Sequence, residues 1–163
     1  MSRQITLASF RVFVYGTLKR GFSNHEYFCR GVTAIEEAVI CGRLYALNAH
    51  IPALAIPENS ILAHGSLDYT GDRRRQWDTV VDREQPSTTD AWCMIHGEVL
   101  TFTELERLAR LDQLEGFHPP GPCLYHRVLA PVQIRSGEWV TAWVYTANEL
   151  VSARLMLLHA DCW

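Results

Sequence analysis

The sequence predicts an α+β fold dominated by an antiparallel sheet, and three observations carry that expectation. Short apolar, β-branched or aromatic runs recur at residues 12–14, 38–47, 61–69, 92–100, 124–134 and 139–146, the pattern of strands bounded by turn residues. One stretch, residues 105–115, has clear helical periodicity, with Leu105, Leu108, Leu111 and Leu114 at a spacing of three. The last two strand-like runs are joined by Arg135-Ser136-Gly137-Glu138, a hairpin turn containing glycine. Many strands and few helices make an α+β domain, and closure of such a sheet into a barrel is one way to remove its edges.

The 163 residues, 48% apolar and 20% charged, suit a single globular domain over residues 1–163 with a core of its own. A net charge of -3 argues against general nucleic-acid binding, and the one basic run, Arg73-Arg74-Arg75, is short. No apolar stretch reaches 18 residues, so no membrane span is expected. Residues 1–9 lack the hydrophobic segment of a signal peptide, and a cytoplasmic location is the expectation. The five cysteines are widely spaced, without a C-x-x-C pair, and are expected to be reduced thiols.

In chain order, residues 12–14 read as a strand covered on both faces, running into a loop bracketed by Gly16 and Gly21. Ser23 or Asn24 caps a short helix that ends by Gly31. Residues 38–47 follow as a strand, with Gly42 inside it marking a bulge or the close approach of another segment. Pro52 and Pro57 flank a loop. Residues 61–69 read as a strand interrupted by Gly65. The stretch of about 70–91 is polar and turn-rich, and is read as a surface insertion with a short helix near residues 76–81. After the strand at 92–100, Thr103 and Glu106 have the spacing of a capping box, and Gly116 stops the leucine helix at Glu115. Residues 117–122, with three prolines, form a loop. Beyond the hairpin, residues 148–159 read as an amphipathic helix.

Two places could carry chemistry. A loop after a buried strand can aim several backbone N–H groups into one concavity that holds a carboxylate or phosphate; a plain turn at Gly16 is the commoner outcome of strand-then-glycine. Glu115 falls at the C-terminal end of a helix, where the macrodipole disfavours a carboxylate. Burial there would raise its pKa into the range used for general acid and base work, whereas on the surface it would be an ordinary glutamate. Asp112, one turn earlier, either faces solvent or pairs with an arginine such as Arg110 or Arg127. The seven histidines show no zinc spacing, and Cys123 with His126 supplies two possible ligands only. Ser66 lacks the second glycine of a nucleophile elbow. Neither a G-x-G-x-x-G nor a P-loop is present, so no metal and no cofactor are expected.

Residues 12–21 with Asn24-His25 resemble the signature of the γ-glutamylcyclotransferase superfamily, and most of all its γ-glutamylamine cyclotransferase branch. Gly42-Arg43-Leu44-Tyr45 and Pro52-Ala53-Leu54 are similar to the next family segments, and His96-Gly97-Glu98-Val99 to the strand before the central helix. Leu111-Asp112-Gln113-Leu114-Glu115-Gly116 resembles the motif that carries the family's catalytic glutamate. Tyr125-His126-Arg127 and Ala142-Trp143-Val144-Tyr145 are similar to its closing segments. The resemblance implies a small, mostly antiparallel β-barrel with helices packed outside it. It also implies that Tyr15, Gly16, Thr17 and Leu18 bind the glutamyl moiety through their backbone, that Glu115 is the acid and base, and that Tyr125 offers a hydroxyl to the pocket.

The reaction implied is intramolecular aminolysis of a small γ-glutamyl compound, releasing 5-oxoproline and a free amine or amino acid. The alternative is a module that binds a γ-glutamyl or other small acidic ligand without turning it over, because fold resemblance alone does not settle catalysis. An unpaired carboxylate at a helix C-terminus, which would repel an acidic ligand, favours the enzyme.

Overall fold

Phe10–Val14 forms the first strand, β1, and its side chains alternate between two apolar layers. Phe13, followed by Tyr15, joins a cluster drawn from strand residues such as Ile40, Val99, Val128 and Val144, while Val12 and Val14 join one that includes Leu108 and Leu111 of a helix. The computed structural model describes residues 9–16, 18–22, 24–48, 51–81, 92–147 and 156–157. Among them β1 is followed by α1 (His25–Phe28), β2 (Ala34–Asn48), β3 (Ile51–Ala55), β4 (Ala63–His64) and α2 (Tyr69–Asp78). Then come β5 (Cys93–Phe102), α3 (Leu105–Glu115), β6 (His126–Ile134), β7 (Trp139–Thr146) and β8 (Met156–Leu157).

Strands β2, β5, β1, β7 and β6 are hydrogen-bonded in that order, and β6 returns to β2 at Ala38↔Ile134 and Val39↔Gln133. The result is a closed five-stranded barrel, and its strand-only cluster is the barrel interior. The pairings are antiparallel except β1 with β7, which run parallel through Val12↔Trp143 and Phe13↔Val144. Helix α3 covers the outer face of β1: Leu108 and Leu111 are buried with Val12, Val14 and Trp143, and Leu105 and Leu114 pack at the margin. An α+β barrel with flanking helices is therefore the architecture, as expected.

Several local expectations are corrected. Residues 53–56 are read as a loop between Pro52 and Pro57, whereas Ile51–Ala55 forms β3, an edge strand on β2. Proline is tolerated there because an edge strand has one side free of ladder bonds. Gly42 permits the approach of β3, since a Cβ at Gly42 would stand 2.7 Å from the Ala55 carbonyl oxygen. Of residues 61–69, Ala63–His64 alone pairs as a strand, and Tyr69 already opens α2. That helix starts and ends earlier than the one expected near 76–81, overlapping it at 76–78; Asp68 caps it, accepting from the Gly71 N–H at 3.0 Å. It buries polar residues, Asp72 and Gln76. The Gln76 side chain accepts from the Arg11 N–H at 2.8 Å and its carbonyl from the Thr141 hydroxyl at 2.9 Å. Residues 82–91 lie outside the described residues.

The capping box is also displaced. Glu104, with no side-chain cap bond, occupies the N-cap of α3, and Glu106 instead accepts from Arg110 Nη2 at 3.0 Å, one turn along the exposed face. At the chain's end Met156–Leu157 pairs with Ala46 and Tyr45 of β2 as β8 rather than continuing a helix; residues 148–155 and 158–159 lie outside the described residues. No helix among the described residues is long and apolar enough to cross a membrane.

Candidate active site

Glu115 is the last residue of α3, and the chain turns immediately after it. Gly116 takes the left-handed conformation, φ 68°, and its N–H caps the carbonyls of Asp112 and Gln113. A β-carbon is poorly tolerated in that conformation, so glycine fixes the helix end and with it the position of the glutamate. Glu115 is half-buried. Among the described residues no side chain or backbone group gives its carboxylate a hydrogen bond or an ion pair. Burial raises its carboxyl from the ordinary 4.5 to about 7, and the helix C-terminus acts in the same direction.

Facing it is the loop that leaves β1. Lys19 N–H returns to the Gly16 carbonyl at 3.0 Å, which turns the loop back on itself. The buried Leu18 holds that turn down: its carbonyl accepts from Cys29 Sγ at 3.6 Å and lies 2.8 Å from His25 Nδ1. Glu98 of β5 anchors the far side, accepting from the Arg20 N–H at 2.6 Å. Among the described residues the backbone N–H groups of Gly16 and Leu18 have no partner. Gly16 stands against β3, where a Cβ would meet Pro52 Cγ at 3.1 Å.

Two phenols tie β3 into the site. Tyr125, just before β6, donates to the Pro52 carbonyl at 3.0 Å. Tyr15 donates to the Tyr145 carbonyl at 2.7 Å and accepts from the Leu54 N–H at 3.3 Å. Burial raises both phenols above their ordinary value, with the Glu115 charge adding to the effect. They stay protonated and neutral.

These groups enclose a cavity of about 230 Å³, lined by Tyr15, Gly16, Leu18, Glu115 and Tyr125 together with Phe13, Val14, Asn24, Pro52, Leu114, Leu124 and Tyr145. Pockets for drug-sized ligands usually hold roughly 300 to 1,000 Å³, so this one suits a smaller molecule. Five of the six residues singled out from the sequence thus share one cavity, and Thr17 lies outside the described residues. Sequence reasoning missed Pro52 and Tyr145 as lining residues. The signal for Tyr145 was weak, since it closes an ordinary apolar run, and Pro52 was hidden by the loop reading of β3. Among the described residues neither Ser66 nor any histidine lines the cavity. Among the described residues no His, Cys, Asp and Glu side chains gather as a possible metal site.

Behind the cavity lies a buried ionic group. Arg127 of β6 is fully buried; its Nε meets Asp112 Oδ1 at 2.8 Å and its Nη1 meets Asp72 Oδ2 at 3.1 Å. The guanidinium stacks over Trp143, Phe117 and Tyr69 at 4.8, 5.2 and 5.8 Å. Of the alternatives open for Asp112, the structure selects Arg127.

Comparison with known proteins gives a consistent picture. The family model described as γ-glutamyl cyclotransferase, AIG2-like, matches residues 12–83 and 73–163. Among solved structures, an AIG2-like protein from Mus musculus is 21% identical, with a TM-score of 0.58 over 95% of this chain and 88% of that one. YkqA from Bacillus subtilis is also 21% identical, with a TM-score of 0.56 over 95% of this chain but 39% of its own. A protein from uropathogenic E. coli, c4763, is 12% identical, with a TM-score of 0.50 over 92% and 87%. No curated protein gives a match. At these identities the structural likenesses speak for the fold.

Proposed function

The chain belongs to the AIG2-like γ-glutamyl cyclotransferase family, and on that premise we propose that it cyclises a γ-glutamyl compound to 5-oxoproline and releases an amine or amino acid. The observation that carries this reading is the unpaired carboxyl of Glu115, raised to about 7 and bordering the same cavity as the Tyr15–Leu18 loop.

The α-amine of the substrate attacks its own γ-carbonyl, so a new C–N bond closes the five-membered ring as the bond to the leaving nitrogen breaks. No enzyme nucleophile and no water are consumed. The amine must lose a proton to attack, and the leaving nitrogen must gain one to depart. Glu115 takes the first proton and returns it to the leaving nitrogen. A carboxyl with a pKa of about 7 is available in both forms at neutral pH, which suits it to both transfers.

Binding supplies the remainder. The N–H groups of Gly16 and Leu18, together with Thr17, would receive the substrate's α-carboxylate in the manner of a backbone nest. Tyr125 has committed its proton to Pro52, so its oxygen is left as an acceptor for a substrate N–H. Holding the glutamyl group bent is worth a large part of the barrier, since well-oriented intramolecular reactions recover roughly 7 to 11 kcal/mol.

The test is 5-oxoproline release, followed by mass spectrometry, from γ-glutamyl amines, γ-glutamyl dipeptides and glutathione. Release from one of these classes is expected and identifies the leaving group. Ligand binding by thermal shift without release from any of them would instead favour a binding module.

A further inference from the structure

Asp112 lies one turn before Glu115 on α3 and is almost fully buried, yet it does not line the cavity. Its carboxylate joins three elements. Arg127 of β6 donates to it through Nε at 2.8 Å and Nη2 at 3.3 Å, and Tyr145 of β7 donates its hydroxyl to Oδ1 at 2.6 Å. The carbonyl of the same Tyr145 receives the Tyr15 hydroxyl at 2.7 Å. Tyr145 therefore links the helix that carries Glu115, through its hydroxyl, to Tyr15 on the loop side of the cavity, through its backbone carbonyl.

Arg127 is in turn fixed from behind. Asp72 of α2 faces its Nη1 at 3.1 Å, and the Ser66 carbonyl accepts from Nη2 at 2.8 Å. Asp72 itself accepts from the Ser66 N–H at 2.8 Å and hydroxyl at 3.0 Å. Gly65 leaves room for the guanidinium, because a Cβ there would stand 2.9 Å from its Cζ. Hydrogen bonds inside such a low-dielectric cluster are strong and directional. Replacing a buried ionic group by apolar residues is often neutral for stability, so stability alone does not account for this one.

We propose that Asp112 is a positioning residue, which, through Tyr145 and Arg127, fixes the end of α3 and so holds Glu115 against the Tyr15 side of the cavity. The catalytic part of this role rests on the cyclotransferase reading; the placement of Glu115 does not. The titratable groups bearing on Glu115 are the phenols of Tyr15, Tyr125 and Tyr145, while the charge of Asp112 is paired with Arg127. Freed from the lock, the helix end would admit water to Glu115.

The experiment measures the titration midpoint of Glu115 by carboxyl carbon-13 NMR in the full chain, with Glu115→Gln to assign the signal. Tyr145→Phe is the decisive variant because it removes the 2.6 Å bond to Asp112 without altering any charge. Its Glu115 midpoint is expected to fall by on the order of 1 unit, toward the ordinary carboxylate range. Asp112→Asn is expected to shift it further in the same direction. Val132→Ala, in the barrel interior, lowers Tm but is expected to leave the midpoint in place. Where a γ-glutamyl compound is turned over, Tyr145→Phe is expected to lower kcat about tenfold with KM unchanged, the signature of a misplaced group. A folded Tyr145→Phe protein whose Glu115 titrates as in the parent, or an equal shift in Val132→Ala, overturns the proposal. If the parent protein releases no 5-oxoproline, the functional reading fails, while the NMR midpoints still decide the positioning role.

Discussion

Tyr125 donates its hydroxyl proton to the Pro52 carbonyl at 3.0 Å, so the residue just before β6 holds an edge strand that forms one wall of the cavity. Both ends of this contact line the site. Loss of the bond should loosen that wall more than it weakens the barrel.

Tyr125→Phe is therefore expected to raise KM about fivefold, the equivalent of a hydrogen bond worth about 1 kcal/mol. The thermal unfolding midpoint should fall by about 2 to 4 °C, since the same bond is lost from the folded state. Steady-state kinetics on the substrate found in the panel, with calorimetry alongside, check both parts.

Gly97 carries a separate expectation. A Cβ at this position would run into the Val14 carbonyl and stand 2.5 Å from the Phe13 ring, and the carbonyl belongs to the backbone of β1, which cannot move without disturbing the β1–β5 ladder. Gly97→Ala should destabilise the fold by about 1 to 3 kcal/mol, as overpacked cores do. A lowered urea midpoint at unchanged m-value is the expected observation.

Arg127 neutralises two buried carboxylates at once. Arg127→Met should leave Asp72 and Asp112 facing each other uncompensated, at a loss of about 3 to 5 kcal/mol. Adding Asp72→Asn and Asp112→Asn to that variant should recover much of the loss, which equilibrium unfolding of the single and triple variants can read.

The sign of the pH effect at Glu115 follows from its raised pKa. The folded-state value is about 7 against an ordinary 4.5, so between these limits the folded protein holds the proton more tightly than the unfolded chain. The stabilisation is complete below about pH 4.5 and is lost as pH rises to about 7. Glu115→Gln abolishes this loss. With allowance for partial solvent exposure, the variant should gain on the order of 2 kcal/mol over its parent at pH 8 relative to pH 4.5. Urea titrations of both proteins across that range measure it.

The barrel strands and α3 were legible because their apolar residues keep the period of the element that they form. In α3, Leu108 and Leu111 face the barrel and Gly116 takes the left-handed stop. The cavity was legible only through the family resemblance of two short motifs, since by themselves Gly16 fits a plain turn and Glu115 a surface position. What escaped was encoded otherwise. β3 has proline where a loop was expected, and its status as a strand depends on the long β2 offering an edge. α2 turns Asp72 and Gln76 inward rather than leucines, so its buried face has no apolar period. The apolar residues Met156 and Leu157 fit a helix and a strand equally by pattern, and the open end of β2 decided between them. Arg127 could be named only as one candidate partner of Asp112, because a pairing across 15 residues of sequence leaves no local signal.

The role of Glu115 is tested by the rate of 5-oxoproline release by Glu115→Gln against the parent, on a γ-glutamyl compound that the parent turns over, with ligand affinity measured in parallel. General acid and base catalysis contributes about 100- to 10,000-fold. A loss of that size in kcat is expected, with the variant folded and ligand still bound. A folded Glu115→Gln protein with kcat close to that of its parent would contradict it.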